Sequence, residues 1–247
     1  MRGTTPYSVS YSFGPGPLTP AVKGLIGVNV VAFLLAWIVP EVVPRLGLLP
    51  AAVVEQWWLW QPVTYMFLHG GLFHLLFNML ALWMFGVELE RAWGTVYFLR
   101  YYMVAGVGAA ATTILASLLP FAFAEALYVS LTVGASGAIY GLLLAYAIYY
   151  PNRPIYLYLL FPIPARVFVI IIGAIALYSS MTAAGGGVAH LTHLGGLVAG
   201  YLYLKSRRGG LLAFVRFRLD RWRYERKRRQ FQVRNGGRSG GPDRWVH

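Results

Sequence analysis

The stretch YVSLTVGASGAIYGLLLAYAIYY, residues 128–150, decides the fold. It carries no charged side chain over its 23 positions. A helix needs roughly 20 apolar residues to cross the hydrocarbon core of a bilayer, so the stretch predicts a membrane span. Within it sits Gly134-Ala135-Ser136-Gly137, a hydroxyl framed by glycines. Such glycines remove side-chain bulk and let another helix or an extended chain approach closely.

Working outward, five further apolar runs of similar length lie at about 22–40, 68–87, 96–119, 165–183 and 188–205. Together the six predict an all-α, polytopic membrane protein with a bundle of six transmembrane helices. Composition agrees: 58% of the 247 residues are hydrophobic and 12% are charged, whereas a soluble chain carries about 25% charged residues. The absence of Cys excludes disulfides, a thiol nucleophile and thiolate metal sites.

Charge divides the chain. Residues 201–247 hold 14 of the 21 Lys and Arg and three of the eight acids, so the basic character belongs to a tail. Three regions follow: a flexible Gly/Pro/Ser/Thr-rich extension over 1–20, a six-span domain over 21–205 and a basic tail over 206–247. With both termini placed in the cytoplasm, every Lys and Arg except Arg45 falls on the inner side, as the positive-inside rule requires. The tail interleaves Arg with Phe217, Trp222, Tyr224 and Phe231. Because it follows directly from the last span, it is assigned in part to a helix on anionic lipid at the membrane surface, not to nucleic acid, with its end disordered. The link 41–67 contains Trp57, Trp58 and Trp60 and is expected at the headgroup level.

Ionisable residues inside spans cost a few kcal/mol or more, so each needs a reason. His69, His74 and Asn78 fall in the outer half of the second run. Ser136 falls about eight residues into the fourth, and His190 and His193 in the first turns of the sixth. One polar cavity open to the outer side accounts for all of them. Gly196-x-x-x-Gly200 is a small-residue contact, and its expected neighbour is the face carrying Gly134, Gly137 and Gly141, which would bring His193 to Ser136. A serine and a neutral imidazole can act as nucleophile and general base. No carboxylate lies at matching depth, so the inventory allows a dyad and no acidic triad. His74, Asn78 and the Ser136 backbone N–H are the donors available to an oxyanion.

Four elements in order now resemble the rhomboid family of intramembrane serine proteases: His69-x4-His74-x3-Asn78, Glu90-Arg91-Ala92-Trp93-Gly94, Gly134-Ala135-Ser136-Gly137 with Tyr140, and His193-Leu194-Gly195-Gly196 with Gly200. The resemblance runs from about residue 55 to 204 and implies a six-span rhomboid-like bundle. It implies a Ser136–His193 dyad, with oxyanion contacts from Ser136, His74 and Asn78. It places His69 in support of the cavity, Tyr140 against the His193 ring and Gly134 beside the oxyanion or substrate backbone. It selects His193 over His190. Gly137 and Gly196 join the supporting set as helix contacts. The implied activity is endoproteolysis of transmembrane protein substrates, with no cofactor and no metal; the chain's size and six-span minimal form point to a bacterial cytoplasmic membrane. The alternative is a rhomboid-like protein that binds membrane segments without cutting them. A histidine metal or haem site and a transporter fit less well. There is no His-Glu-x-x-His motif, and the ionisable groups gather near one surface instead of the midplane.

Overall fold

A computed structural model describes residues 15–120, 122–157, 161–182 and 187–206. The elements in order are α1 (Pro20–Ile38), α2 (Val42–Leu46), α3 (Pro50–Glu55), α4 (Gln61–Thr64), a 3-10 turn (Tyr65–Phe67) and α5 (Leu72–Ala81). A π-helical turn (Leu82–Gly86), α6 (Val87–Trp93), α7 (Thr95–Ser117), α8 (Ala122–Tyr128) and α9 (Ser136–Tyr149) follow. The chain continues through β1 (Pro154–Leu157), β2 (Phe161–Pro164), α10 (Ala165–Thr182) and α11 (Gly187–Lys205). Its contacts divide it at Lys205. Apart from Ser206, the expected tail helix and its disordered end lie outside the described residues, as do 1–14 of the expected extension.

The fold is mostly helical, because long apolar runs without charge leave the backbone no better way to satisfy itself. Among the described residues, three helices are long and apolar enough to cross a membrane: α1, the continuous Leu72–Trp93 rod and α7. Two further apolar helices are shorter, α9 and the Ala165–Ser180 part of α10. The exterior is greasy: Val31, Trp37 and Ile38 of α1, Phe73 and Phe77 of α5, and Ile170 and Tyr178 of α10 are all exposed. Polar side chains turn inward instead, including Asn29, His69, Asn78, Glu90, Thr113 and Thr192. That inversion is the pattern of a chain solvated by lipid.

Two boundaries differ from the sequence expectation. The fourth helix begins at Ser136, not near 128. Leu48 and Thr132 exchange backbone hydrogen bonds of 2.9 and 2.8 Å, which holds the preceding segment extended. The second rod runs on to Trp93, past its charged residues, because those charges have partners. Between the fourth and fifth runs, the link carries an antiparallel hairpin with Ile155 opposite Ile163. Its prolines are tolerated because a two-stranded ribbon has two free edges. Arg153 at the start of the hairpin pairs with Glu88 of α6 at 2.7 Å.

Glu90 does unusual work for a surface-motif acid. Its carboxylate accepts the backbone N–H groups of Ala21 and Val22 at 2.9 and 3.0 Å, together with the hydroxyls of Thr19 and Thr95. It therefore caps α1 from about 70 positions away in sequence, where a negative charge also meets the positive end of the helix dipole. Arg91 donates to the carbonyls of Pro15 and Pro17, and Trp83 Nε1 donates to Gly16 O at 3.1 Å. Residues 15–19 of the expected extension are thus tied to the helical body.

The centre is a glycine seam between α7, α9 and α11. A Cβ on Gly196 would lie 1.9 Å from Gly137 O, and one on Gly141 would lie 2.6 Å from the Ala105 Cβ. Tyr101 Oη donates to Gly141 O at 2.7 Å, and Thr113 and Thr192 share a 2.7 Å hydrogen bond between α7 and α11.

Candidate active site

Ser136 is the first residue of α9, so its own N–H precedes the helical ladder, whose first bond runs from Ile139 N to Ala135 O. Early N–H groups of a helix have no internal partner and point at whatever lies before it. Upstream, Gly134 has φ +130, a conformation that side chains disfavour. Its N–H donates to Tyr65 O at 2.9 Å. The buried phenol of Tyr65 donates in turn to Gly106 O at 2.7 Å, fixing the turn to α7.

His193 Nε2 lies 2.8 Å from Ser136 Oγ. The seam sets this distance, since Gly196, one turn beyond His193, touches the Gly137 carbonyl. Tyr140 stacks on the imidazole with centroids 4.1 Å apart and planes 8° apart. Among the described residues, His193 Nδ1 has no hydrogen-bond partner, so no carboxylate orients this ring. His190 stands edge-on to His193 at 6.1 Å.

His74 comes from α5. Its Cε1 and Nε2 would each lie 2.9 Å from a Cβ on Gly134, and Ser136 Oγ would lie 3.6 Å from the same point. Glycine at 134 therefore makes room for the imidazole beside the serine. His74 Nδ1 accepts the Gly70 N–H at 3.4 Å. An accepting Nδ1 leaves Nε2 to carry the hydrogen, which makes His74 a donor on the Ser136 side. Asn78, one turn on, spends one amide hydrogen on His74 O at 2.7 Å. His69 is buried before α5 begins, edge-on to His74 at 5.0 Å. The structure thus gathers Ser136, His193, His74, Gly134 and Tyr140 around one point, with Asn78 and His69 behind His74 and Gly137 and Gly196 in the seam. The resemblance also implies a loop capping the site around 183–190, of which 183–186 lie outside the described residues.

Sequence reasoning missed the frame around this point. Gln61 is fully buried in the 41–67 segment, accepting Leu49 N–H at 3.0 Å and donating to Pro44 and Arg45 carbonyls. Thr64 Oγ1 donates to Leu46 O at 2.6 Å. These bonds stiffen the strand that pairs Leu48 with Thr132. Trp57 and Trp60 on the same segment face outward.

The family model of the rhomboid domain matches residues 55–207, most of the helical body. The chain belongs to the rhomboid family. Among rhomboid relatives, the mitochondrial Rhomboid protein 1 of Saccharomyces cerevisiae is 33% identical over 56% of this chain and 38% of its own length. The rhomboid protease GluP of Bacillus subtilis is 31% identical over 65% of this chain and 28% of its own. The rhomboid protease AarA of Providencia stuartii is 35% identical over 40% of this chain and 36% of its own. The match thus spans little more than a third of these rhomboid proteins at most. Rhomboid membership makes this an integral membrane protein, in accord with its apolar helices.

Proposed function

We propose that this chain is an intramembrane serine endopeptidase that cuts transmembrane proteins with a Ser136–His193 dyad, its six apolar helices crossing the bilayer. The observation that carries this reading is the 2.8 Å contact between His193 Nε2 and Ser136 Oγ. Ser136 Oγ attacks the scissile carbonyl carbon while its proton passes to His193 Nε2. The carbonyl oxygen becomes an oxyanion facing the Ser136 N–H, His74 Nε2 and the remaining amide hydrogen of Asn78. The positive end of α9 adds to that stabilisation. Collapse breaks the C–N bond, and the leaving amine takes the proton from His193. Water then attacks the acyl-enzyme with His193 as base, releasing the acid and restoring Ser136.

The substrate must present an unwound segment, because a helix hides its carbonyls in its own hydrogen bonds. Small residues at the cut and helix-weakening residues beside it are expected. We place the protein in a bacterial cytoplasmic membrane with both termini inside and Ser136 toward the outer half.

The test is labelling of purified protein with a serine-directed fluorophosphonate. Label on the wild type and none on Ser136→Ala supports the reading. Equal label on both, or none on folded wild type, overturns it and favours a rhomboid-like protein that binds membrane segments without cleavage.

A further inference from the structure

On the outside of the seam, away from Ser136, α7 and α11 form a groove of about 550 Å³. Met103, Val104 and Val107 wall it on one side, and Leu202 and Tyr203 on the other. Its floor is Gly108 against Ala199, where a Cβ on the glycine would stand 2.2 Å from the alanine Cβ. The lining is aliphatic and aromatic, so water gains nothing there.

Two cations follow the lining residues of α7 and α11 toward the same end, by helical spacing. Arg100 is on the stripe that continues through Met103, Val104, Val107 and Gly108, at helical spacing. Lys205 lies one turn beyond Leu202 and its ammonium sits over the Tyr201 ring, 5.4 Å from the centroid. Both cations are exposed. Neither α7 nor α11 contains an acid. Among the described residues the one ion pair is Arg153 with Glu88, so neither Arg100 nor Lys205 pairs with an acid there.

An apolar trough with two cations beyond one end, neither paired with an acid among the described residues, matches an amphiphile with an acyl chain and an anionic head. Basic pockets between membrane helices take such headgroups. A second copy of this chain fits poorly, because a two-fold contact here would bring Arg100 and Lys205 against their own symmetry mates. We propose that this groove is a binding site for one anionic phospholipid of the bilayer. Its acyl chain lies along Val104, Val107 and Leu202, and its phosphate is held by Arg100 and Lys205. None of the residues named for this site belongs to the dyad or to 206–247.

The experiment uses the full chain, delipidated in detergent and titrated with phosphatidylglycerol or phosphatidylcholine of the same acyl length. Retained lipid is counted by native mass spectrometry. The tail contributes equally to every variant, so the readout is the single tightly held equivalent. Wild type should keep one phosphatidylglycerol in preference to phosphatidylcholine. The double variant Arg100→Gln/Lys205→Gln should hold it about thirtyfold more weakly. Arg166→Gln, a cation on α10, should leave retention unchanged. Val104→Trp should lose the lipid by filling the trough, with thermal unfolding confirming that each variant is folded. The proposal is overturned if the two lipids are retained equally, or if the double variant retains phosphatidylglycerol as wild type does. It is also overturned if Val104→Cys cross-links two chains across this face.

Discussion

The Tyr140 ring lies flat against His193, four residues along α9 from the serine that His193 meets. With no carboxylate on Nδ1 among the described residues, this stacking is what fixes the imidazole plane. Tyr140→Phe should keep the rate, because the ring and not the hydroxyl makes the contact. Tyr140→Ala should lower kcat about 3- to 10-fold, the range of one aromatic pair. A steady-state assay on a reconstituted transmembrane substrate checks both.

Ser136→Ala and His193→Ala should each reduce cleavage by roughly 10⁴-fold or more, since members of such a unit fail together. The double variant should be no worse than either single one. His190→Ala should retain most activity. Additive losses in the double variant would show that the two side chains act separately.

His74→Ala and Asn78→Ala should each slow the acylation step by about 10²-fold to 10³-fold, the usual loss for an oxyanion donor. Fluorophosphonate labelling should persist, more slowly, because the nucleophile and base remain. A rise in KM at unchanged kcat would argue instead for a role in substrate binding.

Gly196→Ala must push a methyl into the Gly137 carbonyl, 1.9 Å away. Overpacking of that kind costs about 1–3 kcal/mol even where neighbours can move, and here the neighbour is backbone. A clear drop in thermal midpoint is expected. Gly134→Ala should be milder for stability but should displace His74, lowering the rate.

Glu90→Ala removes the carboxylate that receives Ala21 and Val22. The loss should be about 1–2 kcal/mol, the scale of a helix cap, read by thermal or denaturant unfolding. Below the new midpoint, activity should be near wild type, because Glu90 caps α1 and makes no contact with Ser136 or His193 in its bonds to Thr19, Ala21, Val22 and Thr95.

The helices were legible because apolar runs announce themselves whatever they pack against. Their ends were not. Nothing in Tyr128–Val133 signals a break, since its residues are as apolar as those of α9. The helix waits until Ser136 because Thr132 is paired with Leu48, more than 80 positions earlier. Likewise the second apolar run ends at about 87 in the sequence, just before Glu88 and Glu90, but the helix continues because their partners, Arg153 and the start of α1, are distant in sequence. Around the site, motif spacing pointed to Ser136, His193 and Tyr140, and their side chains do meet. Tyr65 and Gln61 left no trace in the sequence, because what they satisfy is backbone in other segments.

The contact between Gly196 and the Gly137 carbonyl has a bearing on how the protein responds to heat. The spacing of serine and histidine is gauged by main chain, which has no rotamers to soften as temperature rises. Side chains elsewhere can loosen by degrees, but this gauge holds its value until the two helices part. Warming should therefore leave turnover following an ordinary Arrhenius line almost to the melting point, and then end it within a few degrees.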